Sequence, residues 1–125
     1  MKTLKVLRST PERSEVGKTF RVWVKSFKEL GEGLTLVKKG ADYIGILSET
    51  DIVRKALAEG LGPETCTVEQ VMSAPIITID VEQSIANANE IMSARKIRHL
   101  VVTERGEVAG IISVRDLVLY YKNRL

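Results

Sequence analysis

One stretch of this 125-residue chain occurs twice: Gly45-Ile46-Leu47-Ser48-Glu49-Thr50-Asp51 returns as Gly110-Ile111-Ile112-Ser113-Val114-Arg115-Asp116, displaced by 65 residues. Each copy runs from a glycine through a short apolar strand to a Ser-x-x-Asp step and then into an apolar-periodic segment that reads as a helix. The chain is one domain's worth, so two copies must share one core. A unit repeated only twice makes a pseudo-symmetric pair and excludes an open solenoid, which needs at least three repeats.

Aligned at that spacing, the copies support one another. Leu34 to Val37 and Tyr43 to Leu47 read as two strands around the turn Lys38-Lys39-Gly40-Ala41-Asp42, and His99 to Val102 with Val108 to Ile112 repeat the pattern without a gap. A helix follows each hairpin, the first stopped by Gly60. Val16 to Leu30 is ambiguous in period, but its counterpart has a helical stripe of Ile85, Ala88, Ile91 and Met92 behind the N-cap Ser84, so both are expected to be helical, with Gly31 as a left-handed stop. Thr67-Val68-Glu69-Gln70 has the form of a capping box opening a brief helix to Met72. Pro75 ends it, and Ile76 to Ile79 is a β-branched strand. Residues 2–8 suggest an edge strand, and Thr10 to Ser14 a turn. The expected organisation is a unit over residues 1–60, a linker at 61–66 and a second unit over 67–125, each β-α-β-β-α.

Composition narrows the function. With 44% hydrophobic and 28% charged residues the chain is ordinary for a soluble globular protein, and no apolar run is long enough for a membrane helix. Met1-Lys2-Thr3-Leu4-Lys5 lacks the features of a secretory signal, which points to the cytoplasm. Cys66 and His99 are the only residues of their types, so neither a disulfide, a Cys/His metal site nor a nucleophilic triad is expected, and the chain reads as a non-enzyme without catalytic or metal-binding residues.

The residues carry a resemblance. Val71-Met72-Ser73-Ala74-Pro75-Ile76-Ile77-Thr78, Ile97-Arg98-His99-Leu100-Val101-Val102 and Gly110 to Leu117 resemble a CBS domain, the unit named after cystathionine beta-synthase, and the first copy resembles a second one. The whole is similar to a free-standing CBS pair, or Bateman module. That resemblance implies an α/β (α+β) fold of two tandem β-α-β-β-α CBS units packed sheet to sheet with pseudo-twofold symmetry, commonly as a homodimer. It also implies a regulatory module that senses an adenine nucleotide such as AMP, ADP or ATP, or S-adenosylmethionine, in clefts between the units. The nucleotide is a ligand; no cofactor is expected.

The chemistry suits such a ligand. A carboxylate accepts two charge-assisted hydrogen bonds at once, matching a ribose diol, and a serine three residues earlier supplies a donor and acceptor beside free helix-start N–H groups. By the resemblance, Ser48, Thr50 and Asp51 form one site, completed by Ile76 and Ile77 for adenine and by Arg98 and His99 for phosphate. A weaker second site is expected around Ser113, Arg115 and Asp116, because Gly33 and Leu34 stand where a phosphate clamp belongs. For one isolated copy, Ser-x-x-Asp is more simply an N-cap box; His99 has an alternative structural role, and Arg98 one as a solvated charge.

Residues 1–39 carry ten Lys/Arg against four Asp/Glu, while residues 40–125 carry nine against twelve. Lys18, Arg21, Lys25 and Lys28 interleave with Phe20, Trp23 and Phe27, so a nucleic-acid-binding helix over 16–30 is the alternative function, and an interaction scaffold with vestigial clefts the third. Trp23 falls where the second copy has Ala88, which leaves it a place in the core or against a partner.

Overall fold

The computed structural model describes residues 12–31 and 33–122, in two compact units that divide between Ile76 and Ile77. The first unit contains β1 (Glu12–Glu15), α1 (Arg21–Leu30), β2 (Leu34–Lys39), β3 (Asp42–Ser48), α2 (Glu49–Asp51) running directly into a π-helical stretch (Ile52–Leu57), and α3 (Val68–Val71). Its sheet has the order β1-β2-β3, with β1 parallel and β3 antiparallel to β2.

Two sequence expectations are corrected here. Glu12 to Ser14 belong to a strand, not a turn. β1 is an edge strand with no apolar alternation, and only its backbone ladder to β2 defines it. The first helix begins at Arg21, not at Val16. The chain before it is held from elsewhere: the Lys18 carbonyl accepts from Val68 N–H at 2.8 Å, and Phe20 N–H donates to the Cys66 carbonyl at 2.9 Å. With those groups already paired, a helical turn would gain nothing there. The strand expected over 2–8 lies outside the described residues. Gly31 does stop α1: its φ is 71° and its N–H donates to the Phe27 carbonyl at 3.0 Å.

Phe20 and Trp23 pack with Val37, Leu47, Ile52, Ala56, Cys66, Val68 and Val71 in the first unit's core. The first compact unit extends to Ile76, and Cys66, Val68 and Val71 fill a core made by the earlier residues. Trp23 lies in this core. Its indole N–H donates to the Gly33 carbonyl at 3.1 Å, and its ring stacks on Phe27 with centroids 5.3 Å apart.

The second unit contains β4 (Thr78–Asp80), α4 (Ile85–Arg95), β5 (His99–Glu104), β6 (Glu107–Ser113) and α5 (Val114–Lys122). Its sheet order is β4-β5-β6, with the same parallel and antiparallel pairings. Ser84 caps α4 by accepting from Asn87 N–H at 3.0 Å. Ile79, Ile85, Ala88, Met92, Leu100, Val102, Ile112 and Leu117 are buried together. The repeat holds to the register: Arg13 opposite Leu36 becomes Thr78 opposite Val101, and the bulge between Val37 and Lys38 reappears between Val102 and Thr103.

β3 of the first unit also makes an isolated antiparallel bridge to Ser73, with Ile46 N–H to the Ser73 carbonyl at 3.0 Å and Ser73 N–H to the Ile46 carbonyl at 2.8 Å. Gly45 permits this approach. A Cβ there would lie 2.5 Å from Met72 Sδ and 3.0 Å from the Ser73 carbonyl oxygen. Gly45→Ala is therefore expected to lose about 1–3 kcal/mol in urea denaturation, as overfilled sites do; an unchanged midpoint would mean that Ser73 is not held here.

Candidate functional site

Both strand-to-helix corners are built by the same local device. Ser48 is extended, with φ −125° and ψ 172°. Its hydroxyl accepts from Asp51 N–H at 3.4 Å, while Asp51 Oδ2 accepts from Ser48 N–H at 3.0 Å and from Ser48 Oγ at 3.1 Å. In the second unit Asp116 Oδ2 accepts from Ser113 N–H at 2.8 Å and Ser113 Oγ at 3.1 Å, and Asp116 N–H donates to Ser113 Oγ at 3.2 Å. Each Ser-x-x-Asp is thus a capping box that satisfies N–H groups at its corner. The N-cap geometry that the sequence allows is present at both corners.

The second carboxylate oxygen separates them. Asp51 Oδ1 accepts from Ser73 Oγ at 2.6 Å and pairs with Lys55 Nζ at 3.2 Å. Lys55 Nζ also donates to the Met72 carbonyl at 2.9 Å, so one ammonium ties the π-helical stretch to the chain beyond α3. Asp51 is 5% exposed. A carboxylate offers about four acceptor positions, and four donors fill those of Asp51. Asp116 is half-buried, and among the described residues its Oδ1 has no donor. Tyr120 stands at the position of Lys55.

The remaining expected residues fall into two groups. In the first unit Thr50 lies in the first turn of α2 and is half-buried, as is Ile76. Leu34 begins β2 at this end, directly after Gly33, and the Glu49 carboxyl group lies where a side chain on residue 33 would go. In the second unit Ile77 packs against the core, its carbonyl accepting from Val101 N–H at 2.9 Å. His99 is paired with Ser113 across the ladder, and the carbonyl of the preceding residue, Arg98, accepts from Val114 N–H at 2.9 Å. Arg98 and Arg115 are exposed. Arg98, His99, Ser113, Arg115 and Asp116 therefore share one end of the β5–β6 hairpin, with an open carboxylate oxygen and guanidinium groups in solvent.

Sequence reasoning ranked Asp51 above Asp116; the two carboxylates differ in that Asp51 Oδ1 is engaged by Ser73 and Lys55. It also missed Lys55 and Ser73 as partners of Asp51. The i,i+4 spacing of Asp51 and Lys55 was available as a signal, whereas Ser73 is 22 residues away and carries none. On the basic helix, Phe20 is 2% and Trp23 9% exposed, so neither ring is free to stack on a base, and only Phe27, at 43%, remains. Among the described residues, no helix is long and apolar enough to cross a membrane, and no group of three or more His, Cys, Asp or Glu side chains is placed to hold a metal ion.

Comparison with known proteins agrees with this architecture. Residues 68–123 match the family model of the CBS domain. A mitochondrial CBS domain-containing protein of Arabidopsis thaliana is 30% identical over 100 residues, which cover 76% of this chain and 48% of that protein. The chain spans about half the length of the curated relatives it matches. The structure of a protein with CBS domains from Burkholderia ambifaria superposes with a TM-score of 0.82 at 29% identity, covering 92% of this chain and 84% of that one. A CBS domain protein of Pyrobaculum aerophilum, solved in complex with AMP, shares the fold with a TM-score of 0.80 at 24% identity, covering 98% and 99% of the two chains. With a family match over one copy, and the same strand register and capped corner in the other, the chain belongs to the CBS-domain proteins.

Proposed function

We propose that this protein is a regulatory module that binds an adenosine monophosphate-like nucleotide, with Asp116 as the carboxylate that receives the ribose diol. CBS-domain proteins are regulatory, ligand-binding modules, and the Pyrobaculum relative was solved with AMP. The observation that carries the assignment is that, among the described residues, Oδ1 of Asp116 has no donor, at the hairpin end that also bears Arg98, His99 and Arg115. A ribose needs two acceptor positions on one carboxylate, and a guanidinium engages phosphate oxygens in pairs. Asp51 has its acceptor positions filled by Ser48, Ser73 and Lys55. A ribose on Asp51 would have to displace a serine hydroxyl or an ammonium, so this carboxylate is a clasp first.

The resemblance also assigns nucleotide contacts to Ser48, Thr50 and Ile76 of the first unit and to Ile77 of the second. One phosphate suits the available charge better than two or three. Regulation then follows from linkage: the nucleotide stabilises whichever state binds it more tightly, by about 2.7 kcal/mol when present at 100 times its dissociation constant. A protein partner that distinguishes the two states is thereby controlled.

A second copy of the chain is the partner proposed for α5. Val118 and Leu119 are 58% and 47% exposed, and Tyr121 lies beside them on the same helix; apolar helix surface of this kind is what oligomer interfaces cover. Light scattering should give a dimer that Val118→Glu converts to a monomer; a wild-type monomer would contradict the assignment.

Calorimetric titration tests the nucleotide reading. Asp116→Ala should weaken AMP binding about tenfold or more, since charge-assisted bonds to the diol are lost, while costing about 1 kcal/mol of stability as a cap. Asp51→Ala should do the reverse, lowering stability by about 2 kcal/mol by removing a cap and the acceptor of Ser73 and Lys55, with AMP affinity changed less than about threefold. Equal loss of AMP in both variants would reject the assignment of Asp116, and failure of AMP, ADP, ATP and S-adenosylmethionine all to bind would reject the nucleotide reading.

A further inference from the structure

The first unit holds a cleft of about 470 Å³ between β1 and α1, a volume within the range of about 300–1,000 Å³ usual for small-molecule sites. Arg13 of β1, Lys18 before α1 and Lys25 of α1 line it together with Glu15 and Glu29. Among the described residues none of these five charges is in an ion pair; Arg13 lies 5.4 Å from the centre of the Tyr43 ring. The backbone fixes Lys18, whose N–H donates to the Glu15 carbonyl at 3.0 Å while its own carbonyl accepts from Val68.

Ser26 also lines the cleft. It is 8% exposed, and its hydroxyl has no hydrogen-bond partner. A buried hydroxyl left so costs about 1–3 kcal/mol. Serines inside helices usually relieve that cost by bonding back to the carbonyl one turn earlier, which Ser26 does not do, and alanine would be the better helix former. The other copy shows what the fold alone asks for: Ile91 occupies the position of Ser26 and packs against the core, while Thr78, Gln83 and Glu90 replace Arg13, Lys18 and Lys25. The hydroxyl and the three cations are thus confined to one unit, where the repeat does not require them.

We propose that this cleft binds a small phosphate ester carrying hydroxyl groups, with the phosphate on Arg13, Lys18 and Lys25 and the hydroxyls on Glu15 and Glu29. The Ser26 hydroxyl, on the cleft wall and without a partner, is the further donor. None of these residues belongs to either capped corner, so the site stands apart from the nucleotide reading.

Titration of the whole chain with ribose 5-phosphate, inorganic phosphate and succinate, followed by amide proton–nitrogen spectra, tests it. Ribose 5-phosphate should give saturable shifts at residues 13–29 and bind more tightly than phosphate, with succinate weakest. The double variant Lys18→Ala/Lys25→Ala should weaken ribose 5-phosphate about tenfold or more, as loss of charged hydrogen bonds does. Ser26→Ala should weaken it about threefold while raising the urea midpoint, a combination that a merely structural serine does not give. The proposal is overturned if no saturable shift appears in this segment by about 20 mM ligand, if succinate binds as tightly, or if Ser26→Ala leaves affinity unchanged or lowers stability.

Discussion

A single buried carboxylate gathers the first unit. Asp51 binds the start of its own helix through Ser48, the next turn through Lys55, and the chain beyond α3 through Ser73. Those contacts fix the direction in which the chain leaves β3, and with the Ile46–Ser73 bridge they bind residues 72–73 to the same sheet. Such an arrangement is stable only if every lone pair of a buried carboxylate is used, because an unmet charge in that position would be costly. Structural service and ligand binding therefore compete for the same two oxygens.

The second unit keeps the device and omits the competition. Ser113 and Asp116 close the same capping box, but Tyr120 offers no ammonium where the first unit has Lys55. The duplicated corner is a clasp in one copy, whereas in the other the Asp116 Oδ1 has no donor among the described residues. Divergence at a handful of side chains is enough, since the backbone register of the two units coincides down to the bulge. The same logic runs through α1, where a tryptophan replaces the small Ala88 and a buried serine replaces Ile91 without moving the helix off its sheet.

Much of this was legible in the sequence where the cause is local. The hairpins, Gly31, the capping box of Thr67 and Gln70 and the N-cap Ser84 each rest on residues a few positions apart, and the 65-residue displacement carried them from one copy to the other. β1 was not legible, because an edge strand of Glu, Arg and Ser has no apolar period and owes its form to a neighbour in space. The start of α1 was misplaced because Cys66 and Val68, remote in sequence, claim the backbone of residues 18–20. At the candidate site the local cap of each Ser-x-x-Asp corner was legible, since serine and aspartate lie three residues apart, whereas the partners of the second carboxylate oxygen were not. Nothing in Val71-Met72-Ser73 announces that its serine closes on Asp51.

The central claim is that Asp116, whose Oδ1 has no donor among the described residues, and not Asp51, receives the ribose. A crystal structure of the protein grown with AMP addresses it directly. The account predicts ribose hydroxyls within hydrogen-bond distance of Asp116, with the contacts of Asp51 to Ser73 and Lys55 unchanged. A ribose on Asp51, with Ser73 or Lys55 displaced, would contradict it.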